Sequence, residues 1–170
     1  MAEQFVGGPQ ISYPFVALRG RLLTGLTRLK IKAQPEPLGP SSVVELVDIP
    51  AAAQAAARFA ARCQYSGFAS IQFLLDPVSK TPQFLEFNPR PVPMMHMDED
   101  LVGINWCKAW YAAMDGKPTP IFRRPVIGRR IALFPQEWLR DPQSDYLQTG
   151  AVQDVLQEDA LLLQAYQQLR

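Results

Sequence analysis

Two apolar, aromatic-rich runs, Phe68 to Leu75 and Gln83 to Asn88, are joined by Asp76-Pro77-Val78-Ser79-Lys80-Thr81-Pro82, a loop with turn residues at both ends. This pattern predicts a hairpin. Residues two apart on a strand share a face, so Glu86 and Asn88 project together while Leu85 and Phe87 turn into the core. With the hairpin symmetric about Ser79, Gln72 lies directly across from Glu86 on the same face. Three oxygen-bearing side chains thereby converge. Asp76 shares their parity but sits at the loop, which ranks it lower.

The rest of the chain fits an α+β protein: an antiparallel sheet with packed helices. Strands are predicted at Glu3 to Val6, Ile11 to Leu18 and Arg21 to Lys32, with short Gly-containing connections that favour antiparallel neighbours. A Val-rich strand follows at Ser42 to Val47. Asp48, Pro50 and an alanine-rich body then predict a helix that stops at Gly67. Ala52, Ala56, Phe59, Ala60 and Cys63 recur on it at helical spacing and give one face to lay on a sheet. A second helix is expected over Asp100 to Met114, a strand over Arg129 to Phe134, and a terminal helix over Gln157 to Leu169. Strands linked as hairpins, with helices between and after, argue against a doubly wound parallel sheet.

Composition narrows the function classes. Lys and Arg total 17 against 16 Asp and Glu, a formal net charge of +1. No global field therefore draws in nucleic acid or an anionic membrane. The apolar runs are broken well before the length that a bilayer requires. Cys63 and Cys107, each inside an apolar helical pattern with no signal-peptide segment ahead, are expected to be reduced, buried thiols of a cytosolic protein. The 170 residues suit one core and a single compact domain.

The converging oxygens suggest a chemistry. Magnesium takes hard oxygen ligands in a nearly octahedral shell and keeps positions for water and substrate phosphates, so one carboxylate with amide oxygens can suit it. Arg90, just past the strand end, adds a planar fork of donors able to hold a phosphate or acyl-phosphate oxygen.

Glu86-Phe87-Asn88-Pro89-Arg90 resembles the E-x-N-x-R metal and phosphate motif that closes ATP-grasp domains. Gln72-Phe73 is similar to the carbamoyl-phosphate synthetase branch, where many other relatives place Asp or Glu. Glu3-Gln4-Phe5-Val6-Gly7-Gly8 resembles the hinge strand whose backbone holds adenine. Gln10 falls where relatives often carry a ribose-binding Glu. Lys30 and Lys32 lie where relatives carry a basic phosphate contact; Lys30 stands as the candidate, with Lys32 an open alternative. The resemblance covers roughly Glu3 to Lys117, so residues 1–118 read as the C-terminal half of an ATP-grasp domain and 119–170 as an extension packed on it. It implies ATP and magnesium as cofactors, Gln72, Glu86 and Asn88 as metal ligands, and Arg90 as the catalytic contact to the transferring phosphoryl group. The implied reaction joins a small-molecule carboxylate to an amine through an acyl-phosphate.

A complete domain of that kind clamps ATP between two lobes, and no Gly-rich phosphate loop occurs in these residues. The expected partner is accordingly an N-terminal ATP-grasp lobe or a second copy of the chain, meeting the face that bears Glu86 and recruited by uncovered apolar surface around Phe5, Phe15 and Leu22 and a free strand edge at the N-terminus. A fragment inactive by itself, one half of a split ligase and a non-catalytic remnant that binds a partner are the alternatives. Elsewhere the plainer readings prevail. His96 is expected to pack among Met94, Met95 and Met97, with the acceptor-substrate site as its other possible neighbour. Asp98, Glu99 and Asp100 read as helix-capping charges. Trp106, Trp110 and Tyr111 read as core. Arg123-Arg124 and Arg129-Arg130 read as a solvated basic face, and Ser41 and Ser42 lack any triad context.

Overall fold

The structure, a computed structural model, describes residues 7–155 together with Leu161, Leu162, Gln164 and Ala165. The strand predicted at Glu3 to Val6 and most of the terminal helix predicted at Gln157 to Leu169 lie outside the described residues; the four described there are helical. Eight strands form one sheet: β1 (Gln10–Leu18), β2 (Arg21–Gly25), β3 (Thr27–Ala33), β4 (Ser41–Val47), β5 (Gly67–Leu75), β6 (Pro82–Asn88), β7 (Arg130–Ala132) and β8 (Val152–Gln153). Their order is β6-β5-β1-β3-β4-β7-β8, with β2 also on β1. All pairs are antiparallel except β7 with β8. Helices α1 (Pro50–Cys63), α2 (Glu99–Val102), α3 (Trp106–Met114) and α4 (Gln136–Arg140) and a π-helical turn (Tyr146–Gly150) complete the α+β architecture.

Alternation along β1 and β5 gives the sheet two different faces. Ile11, Tyr13, Phe15, Ala17, Ala69, Ile71 and Phe73 form one core with the buried stripe Ala52, Ala56 and Ala60 of α1. Alanines on that stripe let the helix lie close on the large strand side chains. The second core contains Val16, Leu26, Val44, Leu46, the methionines of the 94–97 loop and Trp106 of α3. Among the described residues, no helix is long and apolar enough to cross a membrane.

Several expectations are corrected. The single strand Arg21 to Lys32 is interrupted at Leu26, whose N–H turns to the Pro14 carbonyl at 3.3 Å. Gly25 permits this, since a Cβ there would lie 2.5 Å from Cε1 of Tyr13. The helix expected over Asp100 to Met114 is two helices, because Gly103 adopts φ +87° and the Asn105 side chain caps α3 by accepting from the Lys108 N–H at 2.9 Å. Helix α1 ends at Cys63, with Gln64 left-handed, three residues before Gly67. Cys63 and Cys107 are both exposed rather than buried. Trp106, Ala109 and Ala113 define the inward face of α3, so helical spacing turns Cys107 and Tyr111 outward. Tyr111 is therefore not core. Phe15 is fully buried under α1, and Leu22 packs partly against the same core. The apolar surface expected around Phe15 and Leu22 is thus covered, whereas Phe84 and Leu85 of the edge strand β6 are exposed; Phe5 lies outside the described residues.

Candidate functional site

The hairpin has the register that its centred loop predicts. Gln72 pairs with Glu86 and Ser70 with Asn88, so Gln72, Glu86 and Asn88 share the face opposite α1. Next to them the ladder slips by one residue: Phe73 pairs with Phe84, and Leu85 is extra. This bulge puts both Phe84 and Phe87 on the α1 side, where their rings lie 6.1 and 4.6 Å from that of Phe59. It also corrects the expectation for Leu85, which is 47% exposed and not in the core. Asp76 does not join the cluster. Its Oδ1 accepts the Val78 and Ser79 N–H groups at 3.0 and 2.7 Å, and those hydrogen bonds hold the carboxyl below its ordinary pKa.

Neighbouring strands bring further polar groups to the same face. Ser12 on β1 lies opposite both Gln72 and Arg28, which places β3 next in the row. Lys30 Nζ donates to Gln10 Oε1 at 3.0 Å and to the Gly39 carbonyl at 2.6 Å, while Gln10 Nε2 donates to Gln72 Oε1. Burial lowers the Lys30 pKa. The chain Lys30–Gln10–Gln72 ties three predicted site residues together, whereas Lys32 faces Glu36 at 3.9 Å. Geometry thus joins Lys30, not Lys32, to the cluster. Glu3, Gln4, Phe5 and Val6 lie outside the described residues.

A cleft of about 100 Å³ opens on this face, with Arg28, Ser70, Gln72, Asn88, Arg90 and Gln136 among its lining residues. Arg90 sits at the exposed end and donates to the Pro91 carbonyl at 3.2 Å. Glu86 stands exposed across from Gln72. Ser70 Oγ and Gln136 Oε1 are buried without a hydrogen-bond partner among the described residues. Unpaired polar atoms on the wall of a cleft are available to a ligand.

Arg28 is the residue that the sequence analysis missed. It is 7% exposed, donates from Nε to Ser12 Oγ at 2.7 Å and from Nη1 to the Pro93 carbonyl at 3.1 Å. Burial pushes its pKa down to about 10, against the raising effect of Asp154, so it remains a cation at neutral pH. Burial pushes Asp154 up to about 7, while Arg28 and the Met94 N–H pull it back. The signal for Arg28 was present, since it shares strand parity with Lys30 and Lys32. No local pattern announces Asp154.

His96 does not pack inside the methionine loop. Met94, Met95 and Met97 are buried, but His96 is exposed, with Nε2 3.2 Å from Asp154 Oδ1. Asp98 caps α2 by accepting the Leu101 N–H at 3.0 Å. Of the two Arg pairs, Arg123 meets Asp100 at 2.9 Å, Arg130 meets Glu45 at 2.9 Å, and Arg129 donates to the Asp100 and Leu101 carbonyls.

No protein-family model and no curated protein matches the chain. Solved structures do. The biotin carboxylase subunit of a pyruvate carboxylase superposes with a TM-score of 0.54 at 18% identity, covering 74% of this chain and 29% of that one. Biotin carboxylase from Campylobacter jejuni, in a β-γ-ATP complex, gives 0.54 at 16% identity over 75% and 30%. The biotin carboxylase domain dimer of Hydrogenobacter thermophilus 2-oxoglutarate carboxylase, in complex with MgADP, ADP and bicarbonate, gives 0.52 at 15% identity over 75% and 29%. The chain spans less than a third of the length of these structures. At this identity the likeness is one of fold: this α+β sheet and its helices match part of the biotin carboxylase fold.

Proposed function

We propose that the chain supplies the ATP- and magnesium-binding C-terminal lobe of a carboxylate–amine ligase. The observation that carries this reading is the row of Lys30, Gln10, Gln72, Asn88 and Arg90, with Glu86 across from Gln72, on one face of an ATP-grasp sheet. Lys30 would meet a nucleotide phosphate and Gln10 the ribose, with the backbone of Glu3 to Val6 along the adenine.

The donor set fits magnesium held jointly with a nucleotide. Glu86 gives one carboxylate, Gln72 and Asn88 give amide oxygens, and no cluster of three His, Cys, Asp or Glu occurs among the described residues. Such a set leaves coordination positions for phosphate oxygens and water, as magnesium prefers. When bound, the ion would neutralise charge on the transferred phosphoryl group. The chain's own part is placement. Arg90 presents a planar donor fork to the phosphoryl or acyl-phosphate oxygens, and Arg28 holds a permanent positive charge beside it in low-dielectric surroundings. A small-molecule carboxylate would be activated there for attack by an amine. The opposing half of the clamp would be an N-terminal lobe or a second copy, and the setting the reduced cytosol.

Manganese substituted for magnesium with ATP tests the reading directly. Backbone resonances of Gln72, Glu86 and Asn88 should broaden selectively, and Glu86→Ala should abolish the broadening while leaving the fold intact. Broadening centred elsewhere, or none at millimolar nucleotide, would favour the non-catalytic remnant.

A further inference from the structure

Away from the Arg90 cleft lies a second and larger cavity, of about 500 Å³. It opens where the start of α1 meets the β2–β3 junction and the segment 124–127. Tyr13 lines it at 5% exposure, and among the described residues its hydroxyl has no hydrogen-bond partner. Burial pushes the phenol up to about 12, so it stays a protonated donor. Thr27 of β3, equally buried, also lines the cavity with no hydroxyl partner among the described residues. Two hydroxyl-bearing side chains thus line this one space, where a ligand can meet them.

The surroundings favour negative charge on one side. Ile49 at the N-cap of α1 offers no side-chain acceptor, Pro50 occupies the first turn, and no acidic residue stands in that turn. Within its first turn the fourteen-residue helix thus carries no carboxylate against its positive end, and Asp48, just before the N-cap, is the one acidic group lining the cavity. Arg124 lines the rim, and alone among Arg123, Arg124, Arg129 and Arg130 it has no partner among the described residues. Asp48 also lines the rim and repels an anion from its own side, which orients the charged end toward Arg124. Ala53, Pro125 and Ile127 supply apolar wall.

We infer that this cavity is a second small-molecule site, taking an organic oxyanion whose charged group meets Tyr13, Thr27 and Arg124 and whose carbon skeleton lies on Ala53, Pro125 and Ile127. A carboxylate and a phosphate ester present the same chemistry here. The site stands apart from the nucleotide reading, since the two cavities share no lining residue.

The ¹⁵N-labelled full chain should be titrated separately with phenylacetate, phenyl phosphate and neutral benzyl alcohol. Saturable amide shifts at Thr27, Ala51 and Ala53 are expected with one or both anions and not with the alcohol; the anion that binds more tightly identifies the source. Tyr13→Phe and Arg124→Ala should each weaken binding about tenfold, in keeping with loss of a hydrogen bond to a charged group. Tyr13→Phe should melt close to the wild-type temperature, because the hydroxyl makes no hydrogen bond to the described residues that the substitution would remove. Three results would overturn the inference: no shift at these amides with either anion, equal response to the alcohol, or unchanged binding in both variants. A Tyr13→Phe protein that binds normally but melts lower would assign the hydroxyl a structural role and overturn it too.

Discussion

Strand parity made the individual site residues legible wherever the register was fixed locally. Gln72, Glu86 and Asn88 could be placed on one face because the loop between their strands is short and centred on Ser79. Arg28 obeys the same parity rule but was passed over beside the lysines. Asp154 could not be foreseen, since it reaches Arg28 only through β8, far along the chain. Its burial gives a pH prediction. A free Asp titrates near 3.9, whereas in the fold Asp154 holds its proton up to about 7, with Arg28, His96 and the Met94 N–H as its polar neighbours. Between roughly pH 4 and 7 the folded state binds a proton that the unfolded state has released. Stability from this group is therefore full below that window and is lost as pH rises through it. Thermal midpoints across pH should show wild type losing ground to Asp154→Asn over this interval. Parallel profiles would contradict the assignment.

Element types were legible, but their interruptions were not. Apolar periodicity runs through Leu26 and Gly103 without a break, and only tertiary contacts show that the backbone turns there. The Leu85 bulge is hidden for the same reason, because Phe84-Leu85-Glu86-Phe87 reads as a regular strand. The register offers a test. Phe73 with Phe84 and Gln72 with Glu86 are the pairs on either side of the bulge, so deleting Leu85 leaves a regular ladder with every other side chain on its present face. The deletion should fold, cost on the order of 1 kcal/mol, and preserve the Gln72–Glu86 cross-strand contact by NMR. Loss of that contact would place the register elsewhere. On α4 the opposite holds. Glu137 is fully buried, bonded to Arg140 at 2.8 and 2.6 Å and to Ser144 Oγ at 2.5 Å. Burial raises its pKa, but the hydrogen bonds from Arg140 and Ser144 help hold it below the ordinary value. Glu137→Ala leaves Arg140 unpaired and should cost roughly 3–5 kcal/mol in denaturant melts, far more than any exposed ion pair of this chain.

At the scale of the whole molecule, the α+β class followed from the sequence of strand and helix signals, while the order of strands did not. β1 pairs with β2, β3 and β5, and such long-range choices rest on how both faces are covered rather than on local pattern. That arrangement also bears on stability. Phe15 lies in the alanine-lined core under α1, and its neighbour Val16 lies in the core shared by Met94 and Trp106. The same strands thus carry both cores, so neither can be lost while the other persists with its sheet intact. Ala56→Leu, which overfills the first core, should cost about 1–3 kcal/mol. Trp106→Ala, which empties the second, should cost about 3–5 kcal/mol. Both should shift one common transition, with calorimetric and van't Hoff enthalpies equal in each protein. Two resolved transitions, with each substitution moving only one of them, would mean that the sheet does not couple its two faces.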